Sequence, residues 1–312
     1  MRFYPGQKTR FLEFAKKEFE NLGYTDIKVD EKRNLIVGDA SKAKIVYTAH
    51  YDTPPLSPYI TPFTRIFGHL IGSLIGGLGI FIALYFLTEW FWRQIDIIPG
   101  LVDWIRGDNQ PGFWEQAMPH IIPIITSVAL YALTFLVPNP NNANDNTSGV
   151  LGVLHTAMLL RRLNRADDVA FVLFNLEELG LIGSTHFRET HKGAKFFLIN
   201  YDMLGVGEIP LLGYRNNKSR RLARTLADTH EGKAKHSSFF TYASDNTVFD
   251  NSLLVAGVSR SMFGATYAPG IHLPWDSKVD YQLIEKYCNI GIEAGDLVLQ
   301  ELSNPPSIES QG

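Results

Sequence analysis

Apolar positions along the chain follow two periods, and the two alternate. Within residues 8–22, Phe11, Leu12, Ala15, Phe19 and Leu22 recur at helical spacing, and Gly23 ends the run. Short apolar stretches rich in β-branched and aromatic residues then predict buried strands. These are Asn34-Leu-Ile-Val, AKIVYTA ending at His50, DVAFVLFNL ending at Glu177, and AKFFLINY ending at Asp202. Helical patterns lie between them in VLGVLHTAMLLRRL and LIGSTHFRETH, and a last helix is expected over 281–302. Strands alternating with helices predict an α/β fold with a mainly parallel mixed sheet between helices. In such sheets the functional crevice lies at the carboxyl ends of the strands, where His50, Glu177, Glu178 and Asp202 all fall.

One stretch departs from this alternation. Residues 66–87 carry no Asp, Glu, Lys or Arg over 22 positions, and 118–137 give a second uncharged run of 20. A helix over the first would be about 33 Å long, enough to cross a bilayer. Trp90, Trp92, Trp104 and Trp114 sit between or beside the runs, where interfacial rings belong. The pattern predicts a transmembrane helical hairpin inserted over 53–143, with the catalytic part split into 1–52 and 144–312. Gly68, Gly72 and Gly76 form a four-residue repeat that would let the second helix approach closely. The connecting loop holds Arg93 and Arg106 against Glu89, Asp96, Asp103, Asp108 and Glu115, whereas Arg65 lies on the other side. That asymmetry points the remainder of the chain to the cytoplasm of a multi-pass cell-membrane protein. Pro54, Pro55, Pro58, Pro62, Pro138 and Pro140 stiffen the two linkers. His69 and His120 receive no role.

Composition narrows the picture. The 312 residues are 45% hydrophobic and 20% charged, sufficient for one large core and the insertion. A net charge of -3 supplies no basic field, so nucleic acid is not expected as a partner. The one cysteine, Cys288, excludes an internal disulfide and thiolate metal ligation and reads as a small packed residue. The first residues are charged throughout, unlike a signal peptide, and a cytoplasmic amino terminus is expected.

The candidate chemistry lies in five pieces. His50-Tyr-Asp52 follows a strand, and an imidazole there could bind zinc while the carboxylate orients it. Asn144-Asp145-Asn146-Thr-Ser-Gly149 opens a helix; Asp145 could bridge two cations, or by itself be a helix cap. Glu177-Glu178-Leu-Gly180-Leu-Ile-Gly183-Ser184 puts two adjacent carboxylates after an apolar strand, a costly burial unless a cation compensates. One of the pair could bind metal while its neighbour acts as general base. Asp202 ends a strand, and His272 lies in Ile271-His-Leu-Pro-Trp-Asp276-Ser277.

In this order the pieces resemble the M28 family of metallopeptidases, with its aminopeptidase and glutamate-carboxypeptidase relatives, over about 1–52 and 144–303. The resemblance implies a zinc-exopeptidase-like fold and two zinc ions, with cobalt or manganese as alternatives. It implies that Asp145 bridges the metals, that His50 and Asp202 complete one site, and that Glu178 and His272 complete the other. Glu177 is then the general base and Asp52 the orienting residue. Tyr267 and Tyr242 are candidate oxyanion donors, and Ser244-Asp245 resembles a family feature near the substrate pocket.

Here His50 and Asp145 stand 95 positions apart, where the family has a short connection. The expected function is a membrane-anchored di-zinc exopeptidase, an aminopeptidase in the first instance. Its partners would be a peptide, membrane-associated or not, and the lipid bilayer, with a homo-oligomer left open. The alternatives are a glutaminyl cyclase-like transferase with a single zinc, and a non-catalytic membrane scaffold with a peptidase fold.

Overall fold

The computed structural model describes residues 2–56, 61–94, 113–134, 136–238 and 241–304. The first helix, α1 (Pro5–Asn21), starts with proline at its first turn, and the Gln7 side chain accepts the Phe3 and Tyr4 amides. Its buried stripe of Leu12, Ala15 and Phe19 is the one the spacing predicts.

Among the described residues, nine strands form the sheet: β1 (Ile27–Val29), β2 (Leu35–Val37), β3 (Ile45–His50), β4 (Val169–Phe174), β5 (Phe197–Asp202), β6 (Ile209–Tyr214), β7 (Lys233–His236), β8 (Ser252–Arg260) and β9 (Thr266–Tyr267). Their order is β1-β2-β4-β3-β5-β8-β6-β7, with β9 on β8. The run β4-β3-β5-β8 is parallel, as is β6-β7. Pairings β1-β2, β2-β4, β6-β8 and β8-β9 are antiparallel. The sheet is therefore mixed and not mainly parallel. The expectation missed the strands over 209–267, because Pro210 and Gly213 interrupt the β6 pattern and β7 is short and polar.

Alternation along β3 builds the two faces. Ile45, Tyr47 and Ala49 enter one core, under α1, α5 (Gly149–Arg162) and the closing helix; Val46 enters another, with Phe187 of α6 (Ile182–Thr190). Tyr47 and Tyr201 stack with ring centres 6.0 Å apart. The closing helix α8 (Tyr281–Ser303) leaves room for both rings. A Cβ on Gly291 would stand 2.1 Å from the Tyr201 hydroxyl, and one on Gly295 2.3 Å from that of Tyr47. Asp280 caps α8 by accepting the Gln282 amide, and Asn216 caps α7 (Asn217–Thr229). Cys288 is fully buried on α8.

The inserted stretch forms α2 (Thr61–Phe67), α3 (His69–Gln94) and α4 (Phe113–Thr134). The two linkers run side by side through an antiparallel bridge between Pro55 and Pro138, with Leu56 donating to Val137 and Asn139 to Pro54. Among the described residues one helix, over Ile71–Trp92, is long and apolar enough to cross a membrane, with a mean hydropathy of 2.0 and 17% of that span buried. The second apolar segment, His120–Thr134, is shorter. Thr88 and Ser127 hydroxyls meet at 2.8 Å between α3 and α4, and Trp92 Nε1 donates to Thr126. Two glycines of the repeat do not serve this contact: Gly68 packs on Ala265 and Gly72 on the backbone of Thr64. The first run is also broken at Gly68, whose φ of +83° separates α2 from α3. The connecting loop, with Asp96, Asp103, Trp104, Arg106 and Asp108, lies outside the described residues, as does Pro58.

Candidate metal centre

Five segments deliver the acidic and imidazole groups, the fifth being the loop between β9 and α8, which supplies His272. His50 is the last residue of β3 and Asp202 the last of β5, both buried. Asp145 sits in the irregular turn Ala143–Ser148, which leads into α5. Glu177 and Glu178 lie just past β4, in the turn before α6 and beyond the strand end the sequence suggested.

Polar residues of the Asp145 turn stitch it to the segment after β5. Asn146 donates to the Tyr201 carbonyl and accepts from the Gly149 amide, while Asn144 Oδ1 accepts from Gly205 and Ser148 Oγ from Leu204. This accounts for the Asn, Asn and Ser of the motif: each satisfies a backbone group of residues 201–205, and Asn146 also the Gly149 amide. From the far side, Asp276 accepts the Asn144 and Asp145 amides.

The Asp145 carboxylate divides between two histidines. Its Oδ1 is 3.3 Å from His50 Nε2, and its Oδ2 is 3.2 Å from His272 Nε2. Asp202 Oδ1 stands 3.5 Å from His50 Nε2, and Glu178 Oε2 3.6 Å from His272 Nε2. Two trios share Asp145, namely His50-Asp145-Asp202 and Asp145-Glu178-His272, each with ligand atoms within 4.8 Å of one another. A third, His50-Glu177-Glu178, meets the same limit. Asp202 Oδ1 is buried without a hydrogen bond, which suits a cation as its partner. Nitrogen and carboxylate donors in these trios fit zinc.

Surrounding groups hold these donors. Asp52 lies 3.5 Å from His50 Nδ1 and accepts the Glu177 and Glu178 amides at 3.2 and 3.3 Å, so one carboxylate aligns two segments. Asp202 Oδ2 accepts from Ser244, which accepts from Asn200, whose oxygen accepts from Thr48. Arg2 is buried beneath, donating to the Tyr51 carbonyl and to Thr147. Lys8 donates to Asn175. Arg2, Lys8 and Asn200 carried no signal in the sequence, since each is brought here by the fold alone; Asp276 stood in a quoted motif without a role.

The electrostatics are those of a crowded anionic site. Burial pushes the Glu177 carboxyl well up, reinforced by Glu178, Asp245 and Asp202 and opposed by His50. Glu178 is raised likewise by burial and by Asp145. Burial disfavours the His50 imidazolium, but Glu177, Asp145, Asp202 and Asp52 outweigh it and raise its pKa. Asp145 is lowered despite burial by its bonds to His272 and His50. Asp245, beside Ser184, is fully buried and pushed up to about 7, chiefly by that burial.

A cavity of about 240 Å³ opens onto His50, Asp145, Glu177, Glu178, Asp202 and His272. Tyr242 lines it, with its hydroxyl against Thr266. Tyr267 pairs with Ser259 in the β8-β9 ladder and is not among the lining residues; Asp245 lies behind the wall.

Residues 133–284 match the model of peptidase family M28. The match begins near the end of α4 and stops inside α8, so it takes in Asp145, Glu177, Glu178, Asp202 and His272 but not His50. Aminopeptidase YwaD of Bacillus subtilis is 36% identical over 73 residues, a stretch covering 23% of this chain and only 16% of that relative. Among solved structures, a leucine aminopeptidase precursor from Bacteroides thetaiotaomicron superposes with a TM-score of 0.54 at 14% identity, covering 94% of this chain and 89% of its own. Tannerella forsythia glutaminyl cyclase gives 0.57 at 12% identity, covering 94% and 91%. At such identities the likeness is one of fold, shared by a peptidase and a cyclase.

Proposed function

We propose that the chain is a zinc-dependent metallopeptidase that removes residues from the free amino end of a peptide. One observation carries the reading: the two oxygens of the buried Asp145 face two different histidines, and each histidine has its own second carboxylate. That is the layout of two adjacent cation sites with a shared ligand. The family match and the aminopeptidase relative support the same chemistry.

In this reading His50 and Asp202 hold one zinc, Glu178 and His272 the other, and Asp145 both. When bound, the ions supply Lewis acidity to the scissile carbonyl and acidify the attacking water. Glu177, lining the cavity and raised by burial, takes the water proton and returns it to the departing amine. Asp52 keeps His50 and the Glu177-Glu178 turn aligned. Of the two tyrosines, Tyr242 has the placement of an oxyanion donor, and burial keeps its hydroxyl protonated even against its bond to Thr266. The insertion over 53–143 anchors this body to a membrane. The exposure of Leu74, Leu78, Phe86 and Trp90 on α3, each 60% or more, supports lipid as their solvent.

The test is product analysis by mass spectrometry on detergent-extracted chain, with peptides whose amino ends are free or acetylated, and with or without a chelator. Stepwise shortening from free amino ends alone, stopped by the chelator, is expected. Loss from the carboxyl end would refute the aminopeptidase assignment. Conversion of amino-terminal glutamine to a cyclic product without shortening would instead establish the cyclase reading that the shared fold raises.

A further inference from the structure

The catalytic cavity has lining residues that the ligand cluster does not explain. Leu254, Val258, Ala268 and Ile271 also line it, together with Thr64 and Ser73, which belong to α2 and α3 of the insertion. The carboxylates and imidazoles that line it, His50, Asp145, Glu177, Glu178, Asp202 and His272, all belong to the cluster described above.

The elbow that carries Thr64 and Ser73 is fixed to the catalytic body. The Met262 amide donates to the Arg65 carbonyl at 3.1 Å, and the Phe67 and Phe263 rings stack at 5.6 Å. Gly68 combines a left-handed φ of +83° with a close approach, since a Cβ there would lie 2.5 Å from Ala265 Cβ. At Gly72 a Cβ would lie 2.4 Å from the Thr64 backbone, so α2 and α3 fold tightly on each other. The position of Thr64 and Ser73 is thereby set by packing, not left to a loose loop.

We propose that the α2–α3 elbow is the specificity wall of the site, with Thr64 and Ser73 closing an apolar pocket that accepts one uncharged side chain, that of the substrate's amino-terminal residue. The inference rests on the aminopeptidase reading above. A volume of about 240 Å³ is below the roughly 300–1,000 Å³ of sites for drug-sized ligands, which fits one terminal residue and not a length of chain. A lysine or glutamate side chain packed against these apolar residues would lose its hydration without gaining a counter-charge from them. The segment that enters the membrane in this reading thus also selects the substrate.

The experiment compares kcat/KM for peptides beginning with Leu, Ala, Phe, Lys or Glu, using the full chain in detergent. The unaltered protein is expected to prefer Leu over Ala and over both charged residues. Ser73→Leu and Thr64→Leu shorten the pocket and should lower the Leu-to-Ala ratio about tenfold or more, since a pocket discriminates by 10–200-fold per methylene. Ser73→Ala removes bulk without disturbing the elbow and should raise the Phe-to-Leu ratio. Ratios that stay put in all three variants of an active enzyme, or a preference for Lys or Glu, would overturn the proposal. Absence of any peptide cleavage by the unaltered protein would remove the aminopeptidase reading and this wall with it.

Discussion

Asp276 accepts the backbone amide of Asp145 at 3.0 Å through one carboxylate oxygen, while its other oxygen takes the Asn144 amide at 2.8 Å. Asp276 is four residues beyond His272, so a single loop presents one imidazole to the Asp145 carboxylate and clamps the turn that carries it. Asp276→Ala frees that turn, and a ligand-orienting partner is worth 10–100-fold in metal affinity. We expect zinc affinity to fall by that factor with Glu177 untouched. Competition with a chromophoric chelator reads it, and unchanged affinity would make the clamp incidental.

Glu177 and Asp145 predict opposite separations of binding from turnover. Glu177→Gln keeps the shape and removes the proposed base, so kcat should drop by about 10²–10⁴ with full metal content. Asp145→Asn weakens the proposed shared ligand and should empty both proposed sites. Atomic absorption on the two purified variants distinguishes the roles, and persistent hydrolysis by the glutamine variant would take Glu177 out of the mechanism.

Protons and metal compete for the same atoms. In the metal-free site burial disfavours the charged form of His272, but Asp145 and Glu177 prevail and raise its pKa, as several carboxylates do for His50. Glu178 is also raised, chiefly by burial. A group with a raised pKa keeps its proton to higher pH, so a cation must displace it. Zinc affinity should therefore climb as pH rises through and above the usual histidine range, with proton release on binding. Calorimetric titration in two buffers of different ionisation enthalpy measures that release; none at neutral pH would contradict these raised values.

The apolar face of α3 sets a prediction about extraction. Thr88, Ser127 and Trp92 with Thr126 supply polar contacts between α3 and α4, while Ile71, Leu74, Leu78 and Phe86 face outward. The chain should stay in the membrane pellet after alkaline carbonate and leave it with detergent. Recovery in the carbonate supernatant would show that the face is covered by something other than lipid.

A core prediction follows from the closing helix. Gly291→Ala places a methyl group against the Tyr201 ring and hydroxyl, where no rotamer relieves it, and overpacking of this kind costs about 1–3 kcal/mol. Denaturant unfolding should register the loss, and the Tyr201 ring, adjoining Asp202 along β5, makes a fall in metal affinity its companion.

The sequence by itself determined the local elements whose period was uninterrupted. Strands β3, β4 and β5, helices α1, α5 and α8, and two uncharged runs all stand out because one face or the whole segment is apolar, and that pattern needs no knowledge of neighbours. It also placed His50, Asp145, Glu178, Asp202 and His272 in segments that the structure brings together, since carboxylates at the edge of apolar strands are conspicuous where they stand. Only the tertiary structure decided what depends on contacts between distant segments. The far edge of the sheet was hidden by proline and glycine in β6, which pairs antiparallel with the long strand β8, and by exposed lysine in β7, which pairs with β6. Tyr242 and not Tyr267 lines the cavity, because β9 commits Tyr267 to its ladder. Gly68 and Gly72 face Ala265 and α2 rather than α4, because Gly68 turns the chain between two helices that the hydropathy pattern merges into one. Spacing reports which residues share a face of one element; which element meets that face is settled by packing across the whole fold.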